Sequence, residues 1–303
     1  MAGVPTLIRL RSRLARARVF AARQFGKLVQ FLTTIRARSR LARSGPIEIL
    51  VDTAALASAV AHETAWISTG LAPWGQVHVD TGYMARVPVK RTPKKGAKDD
   101  EVRDFGDSSY LTGIAYLARR GLIRLRSSGE LLTEQWQQPV GRLRGNSIYS
   151  RSLFDGIKID PVDGMPDMVI GPSSMGFPSL KEQQQRRLDK AKANDKLYQQ
   201  ILKRLGSKSS QDAWHVRTAE VHRMYCLLTT DYKLMRTLDA QSKLEPIKSL
   251  QTKVLSPTQL GKVLGLWPLN PMYVSHEGDD GVPVRADKSL PGNKRRSHAQ
   301  KKR

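Results

Sequence analysis

The sequence predicts an α/β fold in which a parallel sheet is sandwiched between helices. Short apolar runs alternate with segments of helical period between residues 47 and 260, as in chains built from β-α units. Two of these runs, 47–52 and 225–230, place Asp52 and Asp231 at the end of a predicted strand. Open parallel sheets bind ligands beyond the carboxyl ends of their strands. The two aspartates therefore predict a functional site at that edge.

Length and composition set the domain organisation. A chain of 303 residues holds one core of about 150–200 residues plus extensions. We place the core domain at 47–270, with insertions near 57–108 and 139–178, between a basic amphipathic arm (1–46) and a basic, disordered tail (271–303). Cys226 is the only cysteine, which excludes an internal disulfide and a thiolate zinc site.

The arm contains ten arginines and Lys27 but no acidic residue, with leucines at roughly helical intervals. Three interpretations remain open: an RNA-binding arm that neutralises phosphates, an organelle transit peptide, or a surface helix without a specific partner. The arginines that we assign to nucleic-acid binding are Arg9, Arg11, Arg13, Arg16, Arg18, Arg36, Arg38 and Arg40.

The first half of the core begins with strand 47–52. Residues 54–70 are expected to start as a helix and to stop near Gly70, and QVHVDTGYMARV suits an added strand or hairpin. The stretch 86–104 has two prolines, a lysine cluster and an acidic patch, and is predicted to be a loop. A helix at 108–120, a strand at 121–127 and a further helix follow.

The second half begins with a Gly- and Pro-rich surface excursion at 139–178. Residues 179–205 are dense in helix formers and stop at Gly206. The remaining predicted elements are a helix at 211–224, a strand at 225–230, a helix at 232–241 and a strand at 253–256. No run of 18 apolar residues occurs, so no transmembrane segment is predicted.

Three motifs of this chain resemble the PIN domain, a nuclease family. An apolar strand ends in Asp52 and Thr53; Asp212, Ala213, His215 and Ala219 precede a strand that runs into Thr229, Thr230 and Asp231; and KVLSPTQL places a strand before a Ser-Pro pair. The resemblance implies a PIN-like parallel sheet. The intervals between Asp52, Glu134 and Asp212 exceed those of a compact member of the family, which implies large insertions.

The family also carries a glutamate on the helix after the second strand. Glu134 takes that position if LLTEQ is the helix, and Glu130 is one turn earlier. We assign Glu134. The resemblance then gives Asp52, Glu134, Asp212 and Asp231 as the catalytic and metal-binding residues, with Thr53 and Thr229 in support.

The acidic set predicts a metal-dependent ribonuclease. Carboxylates suit Mg²⁺ or Mn²⁺, and such an ion activates water for attack on a phosphodiester. RNA is the partner that the resemblance implies, and the excess of 51 Lys and Arg over 27 Asp and Glu, a net charge of +24, favours a polyanion. An antitoxin-like protein or a homodimer partner is also expected from the resemblance. A cytoplasmic location is predicted, or an organelle matrix if the arm is a transit peptide.

Each residue has a structural alternative. Asp52 and Asp231 both precede a helix, where an aspartate often serves only as an N-cap. His215, one turn from Asp212, is expected to pack or to hydrogen-bond. The alternative function is a PIN-like nucleic-acid-binding or scaffold protein that kept the fold and lost catalysis.

Overall fold

The computed structural model describes residues 24–88, 90, 92–137, 151–171, 173–274 and 284–285. Helices and strands follow one another along this part of the chain. In chain order they are α1 (described over 24–33), α2 (Ile35–Ser44), β1 (Ile47–Val51), α3 (Thr53–Ser58), β2 (Val60–Trp74), β3 (Val77–Pro88), α4 (Asp99–Arg119), β4 (Ile123–Ser127), α5 (Gly129–Gln137), β5 (Arg151–Ser152), β6 (Asp160–Pro161), α6 (Leu180–Asn194), α7 (Lys196–Leu205), α8 (Ser210–Val221), β7 (Cys226–Leu228), α9 (Tyr232–Ala240), β8 (Lys253–Leu255), α10 (Pro257–Leu264) and β9 (Val284–Arg285).

The central sheet has five parallel strands in the order β6-β4-β1-β7-β8. Counted along the chain, the strand order is 3-2-1-4-5, so the direction of winding reverses between β1 and β7. In open α/β sheets this reversal point leaves a crevice at the carboxyl ends of the strands. The predicted α/β class with a parallel sheet flanked by helices is confirmed.

Side chains from the two faces of the sheet enter two separate apolar clusters. In β1, Ile49 and Val51 pack with α2, α3, α4 and α10, whereas Leu50 packs with α5, α6, α7, α8 and α9. Strand residues alternate between the faces, and β1 is buried on both. The apolar run of β1 is therefore continuous, as expected for the centre of a parallel sheet.

Local sequence signals define several helix ends. Ser179 and Glu182 form a capping box at the start of α6, and Ser256 and Gln259 form another at the start of α10. Asp195 interrupts the predicted 179–205 helix because its carboxylate accepts the Tyr198 N–H at 2.9 Å and opens α7. The expected single helix is in fact two.

A long β-hairpin, β2–β3, replaces the predicted helix at 54–70. The helix ends at Ser58, and the strands pair in antiparallel fashion from His62 with Pro88 to Trp74 with Val77, around a turn at Gly75. The predicted helix start is confirmed by α3, but its continuation toward Gly70 was wrong because the β-branched and aromatic residues of 64–69 favour an extended chain and β3 supplies their partner. The predicted strand in QVHVDTGYMARV is confirmed.

Three further boundaries differ from the sequence prediction. Helix α4 begins at Asp99, within the predicted 86–104 loop, because the acidic patch there is its first turn and complements the helix dipole. The Gly- and Pro-rich excursion contributes β6, which extends the sheet beside β4. The predicted tail includes a short 3-10 helix, Pro271–Tyr273, and β9 pairs with β3.

Some predictions fall beyond the described residues: the arm before residue 24, residues 138–150 of the second insertion, and most of the tail. Among the described residues, no helix is both long enough and apolar enough to cross a membrane. Cys226 is buried in β7, and burial raises the pKa of its thiol.

The contact between α4 and α10 gives a test of the packing. A Cβ on Gly261 of α10 would lie 2.1 Å from the ring of Tyr110, whereas one on Gly106 of α4 would have only an ordinary 3.6 Å contact with Thr258. Gly-to-Ala in a helix normally stabilises by up to about 1 kcal/mol. We expect Gly106→Ala to follow this rule and Gly261→Ala to lower the free energy of unfolding by about 1–3 kcal/mol because of overpacking. Urea denaturation measures both, and equal stabilisation of the two variants would contradict the packing.

Candidate metal centre

The predicted acidic residues approach one another at the reversal point of the sheet. Asp52 follows β1 directly, and its N–H continues the ladder to the carbonyl of Leu228 at 3.0 Å. Asp231 follows β7 by a short turn. Glu134 enters from α5 and Asp212 from the first turn of α8. Neighbouring strands thus hold two of the acids, and helices on one face of the sheet hold the other two.

The inner part of the site consists of Asp52, Glu134 and His215. Each offers a ligand atom, and these three atoms lie within 4.8 Å of one another. His215 is nearly fully buried, with a side chain that is 5% exposed, and the Glu134 side chain is 16% exposed. A carboxylate removed from water in this way requires a hydrogen-bonded or charged partner.

Threonine hydroxyls and His215 supply those partners. Thr229 Oγ1 donates to Asp52 Oδ2, and Thr53 Oγ1 donates to Glu134 Oε2 at 3.0 Å. His215 Nε2 lies 2.8 Å from Glu134 Oε1. Both oxygens of Glu134 are therefore held in place. The two threonines, which we expected in a supporting role, orient the carboxylates.

Burial and charge act in opposite directions on the pKa values of this cluster. Burial raises the pKa of Asp52 above 3.8, although the charge of His215 opposes the rise. For Glu134 burial also acts upwards, but the charge and hydrogen bond of His215 outweigh it and lower the pKa below 4.5. Burial alone would lower the pKa of His215, yet Glu134 and its acidic neighbours raise it to about 9. Without a cation, the imidazolium compensates one negative charge of this cluster.

Asp212 and Asp231 form an outer pair beside this cluster. They line a common cavity of about 500 Å³. Burial raises the pKa of Asp212, and the nearby charge of Asp231 contributes to the rise. Because His215 and Glu134 also affect Asp212, the inner and outer groups form one electrostatic unit.

The two strand-end aspartates differ in whether they cap the helix that follows. Asp231 Oδ1 accepts the N–H groups of Lys233 at 2.8 Å and Leu234 at 2.9 Å, so it caps α9. Asp52 precedes α3 but makes no capping side-chain hydrogen bond. The carboxylate of Asp52 is thus directed into the site, whereas one oxygen of Asp231 serves the helix.

Glu130, the alternative to Glu134, is engaged elsewhere. Its carboxylate is paired with the guanidinium of Arg187, with Nη2 2.9 Å from Oε2, and its side chain is 8% exposed. A buried glutamate with two guanidinium contacts is a structural ion pair. The assignment of Glu134 to the site agrees with this geometry.

His215 is the site residue that sequence reasoning left out. It lies three residues after Asp212 on α8, a spacing that places two side chains on one helix face, and this spacing was the available signal. Its Nδ1 is buried and has no hydrogen-bond partner among the described residues. The side chain hydrogen-bonds, as expected, but to a residue of the candidate site.

The donor set fits a hard divalent cation. Mg²⁺ and Mn²⁺ prefer carboxylate oxygens at about 2.0–2.2 Å, and two oxygens on one such ion are separated by about 4 Å or less. The ligand atoms of Asp52, Glu134 and His215 lie within 4.8 Å of one another, slightly beyond this spacing, so a small rotation of their side chains is needed to bring them onto one ion. Asp52 and Glu134 would hold the ion, with His215 as a neutral nitrogen ligand or a neighbour, and Asp212 and Asp231 on the open side.

The described arginines of the arm contact the chain itself. Arg40 Nη1 donates to the carbonyl of Val263 at 2.8 Å, the Arg36 guanidinium lies 6.0 Å from the ring centre of Trp267, and that of Arg38 lies 4.3 Å from the ring centre of Phe31. Arg9, Arg11, Arg13, Arg16 and Arg18 lie outside the described residues.

Comparison with known proteins found no matching protein family, no matching curated protein and no matching solved structure. The interpretation of the site therefore rests on its residues and their geometry.

The cap at Asp231 gives a prediction about stability. Asp231→Ala removes both capping hydrogen bonds and should lower the free energy of unfolding by about 1 kcal/mol. Asp231→Ser keeps a capping oxygen and should stay close to wild type. Urea denaturation of the three proteins checks this. A serine variant that is destabilised as much as the alanine variant would contradict the capping role.

The charge balance predicts a pH dependence for the metal-free protein. The pKa of His215 is about 9 in the folded protein, against an ordinary value of 6.5, so its stabilising contribution is complete below pH 6.5 and is lost as the pH rises through 9. The raised pKa of Asp52 has an effect of the same sign, which begins at its ordinary value of 3.8. Denaturation in EDTA should show the free energy of unfolding falling by roughly 2 kcal/mol between pH 6.5 and 9.

The matched controls are two histidine variants. His215→Gln should remove most of this pH dependence, whereas His78→Gln, on the exposed hairpin, should retain it. A wild-type profile that is flat over this range would show that His215 is neutral in the metal-free protein.

Proposed function

We propose that the chain is a PIN-like, metal-dependent ribonuclease that hydrolyses RNA phosphodiester bonds at the cluster of Asp52, Glu134, Asp212 and Asp231. The observation that carries the proposal is the approach of Asp52 and Glu134 to within one cation's reach at the reversal point of a parallel sheet. The outer acids beside them and the strand order 3-2-1-4-5 are compatible with the family that the sequence motifs resemble.

The hydrogen bonds of the site support catalysis rather than folding alone. Thr229 and Thr53 each direct a hydroxyl at a different carboxylate, and Asp52 is left without a capping role. A helix cap or a solvated acid does not require such burial of carboxylates, which costs desolvation free energy even where hydrogen bonds offset part of it. These hydroxyls hold Asp52 and Glu134 in one orientation before substrate arrives, which is the condition for an effective ligand set.

A bound Mg²⁺ or Mn²⁺ supplies a water of lowered pKa and neutralises charge on the reacting phosphate. The residues of the chain would hold that ion and orient the groups around it. Asp52 and Glu134 would be its ligands. His215 holds Oε1 of Glu134, and its buried ring excludes water from that side. Asp212 and Asp231 border the cavity where substrate enters.

The charge of the chain supports a nucleic-acid substrate. A net charge of +24 attracts a polyanion, neutralises phosphates and releases their counterions. This attraction is indifferent to the sugar. RNA enters the proposal through the family resemblance, and discrimination against DNA requires contacts to the 2′-hydroxyl.

A second candidate is a nucleic-acid-binding protein without catalysis. The contact of His215 with Glu134 favours it, because an imidazolium already compensates the acidic cluster and leaves no electrostatic need for a metal. The two functions differ in one respect that can be measured. A nuclease requires the cation to displace the proton of His215, whereas the binding protein keeps it.

Cleavage of labelled single-stranded and structured RNA tests the proposal. With Mn²⁺ or Mg²⁺ we expect cutting that EDTA abolishes, and DNA of the same sequence as a weaker substrate. Asp52→Asn and Glu134→Gln should each lower the rate by at least the ~100-fold that loss of a supporting hydrogen bond can cost at a metal site. Asp231→Ser should also lower the cleavage rate, although the serine still caps α9.

The control is Asp239→Asn, a change at an exposed acid near the end of α9, which should cut at the wild-type rate. Binding is measured in parallel by fluorescence anisotropy. Tight RNA binding with no cutting in either metal would reject the nuclease and favour the second candidate.

A further inference from the structure

The cavity beside the outer acids is also lined by basic side chains. Its volume is about 500 Å³, and Lys208 and Lys233 line it together with Asp212 and Asp231. This size lies within the range of ligand sites, about 300–1,000 Å³. Acidic and basic groups therefore line one open cavity next to the proposed metal centre.

The two lysines are not neutralised by the chain. Neither ammonium has a hydrogen bond or ion pair with another residue in the described part of the protein, although two carboxylates line the same cavity. One of those carboxylates is engaged otherwise, because Asp231 accepts two N–H groups of α9. The ammonium groups of Lys208 and Lys233 are thus available to a ligand.

The elements that carry the lysines are well anchored. Lys233 lies in the first turn of α9, which Asp231 caps, and Leu234 beside it is buried in the core. Lys208 lies in the short 3-10 helix Ser207–Ser209, directly before α8 and Asp212. Each lysine therefore lies close in sequence to one of the outer acids, and the positions of the two groups are coupled through rigid backbone.

A ligand of this cavity must place negative charge on the lysines and also come close to the carboxylates. A free phosphate or an acidic peptide satisfies the first requirement, but either would be repelled by Asp212 and Asp231. The phosphates of a nucleic-acid strand are also anionic, so a strand satisfies both requirements when a cation at the acidic cluster compensates the carboxylates near the reacting phosphate and a neighbouring phosphate is at the lysines. The apolar side chains of Leu205 and Leu234 on the same wall suit the sugar or base between them.

We propose that this cavity is a subsite for the phosphate next to the reacting one, held by Lys208 and Lys233. The inference rests on the proposed function, because it takes the acidic cluster as the place where the strand is cut. Lys208 and Lys233 then set the position of the strand over the metal centre. The basic charge of the chain in general does not have this role.

The test combines lysine variants with the neutralisation of single phosphates. Asp52→Asn serves as the background, so that RNA is bound but not cut. Binding of a short single-stranded RNA is measured by anisotropy against salt concentration for Lys208→Gln, Lys233→Gln and the double variant. Each lysine lost should lower affinity several-fold and reduce the slope of log K against log salt by about 0.7.

Methylphosphonate linkages then localise the contact. Neutral linkages are placed one at a time along the RNA. One position adjoining the cut should weaken binding in the background protein but have little further effect in the double lysine variant, because both changes remove the same contact. Lys243→Gln, at an exposed lysine beyond α9, should leave the effect of every linkage unchanged.

The outcomes separate this inference from the proposed function. Metal-dependent cutting by the wild type, with linkage effects that are additive to the lysine changes at every position, would overturn the subsite and leave the nuclease intact. Site-specific coupling in a protein that never cuts RNA would support the phosphate contact and reject the nuclease. Inorganic phosphate that competes as well as the RNA would also overturn the proposal, because it would show a free-anion site.

Discussion

The contact between His215 and Glu134 is the interaction on which the candidate site depends. Asp52, Glu134 and Asp212 are partly or largely removed from water at the edge of the sheet, and burial by itself raises the pKa of a carboxyl group. His215 opposes that effect on all three. A positive charge, either the imidazolium or a cation in its place, is therefore a structural requirement of this edge.

That requirement has consequences for how the surrounding elements are built. The acids come from two strands and two helices, so their approach depends on the strand order and on the packing of α5 and α8 over one face. Buried apolar side chains such as Leu50, Leu131 and Val216 join these elements in one cluster. The hydroxyls of Thr53 and Thr229 then fix the carboxylates at short range. Long-range packing brings the charges together, and local hydrogen bonds set their orientation.

The two strand-end aspartates show how one residue type takes two roles at equivalent positions. Asp231 binds the N-terminus of α9 and lies on the open cavity, while Asp52 accepts a hydrogen bond from Thr229 and lies deeper. Lys208 and Lys233 line the same cavity as Asp212 and Asp231, so ammonium groups and carboxylates lie close together beside the candidate metal centre. A phosphodiester strand suits the lysines directly and the carboxylates only when a cation compensates them.

Much of the fold was determined by the sequence itself. The apolar run before Asp52, the run before Asp231 and the Ser-Pro start of α10 identify strand ends and helix starts because the signals are local: side-chain burial, capping oxygens and proline at the first helical turn. The acids could be assigned to one edge since parallel strands place their carboxyl ends together. Glu134 was identified through the family resemblance, and its neighbour Glu130 is distinguished only by the ion pair with Arg187.

Only the tertiary structure decided the rest. The segment after Ser58 becomes a strand because β3 is there to pair with it, and Asp160–Pro161 joins the sheet because β4 offers an open edge. The role of His215 depends on Glu134, which is 81 positions away along the chain. Sequence patterns report the conformation of a segment through its own side chains, whereas pairing, burial and electrostatic partnership are properties of residues that meet only when the chain has folded.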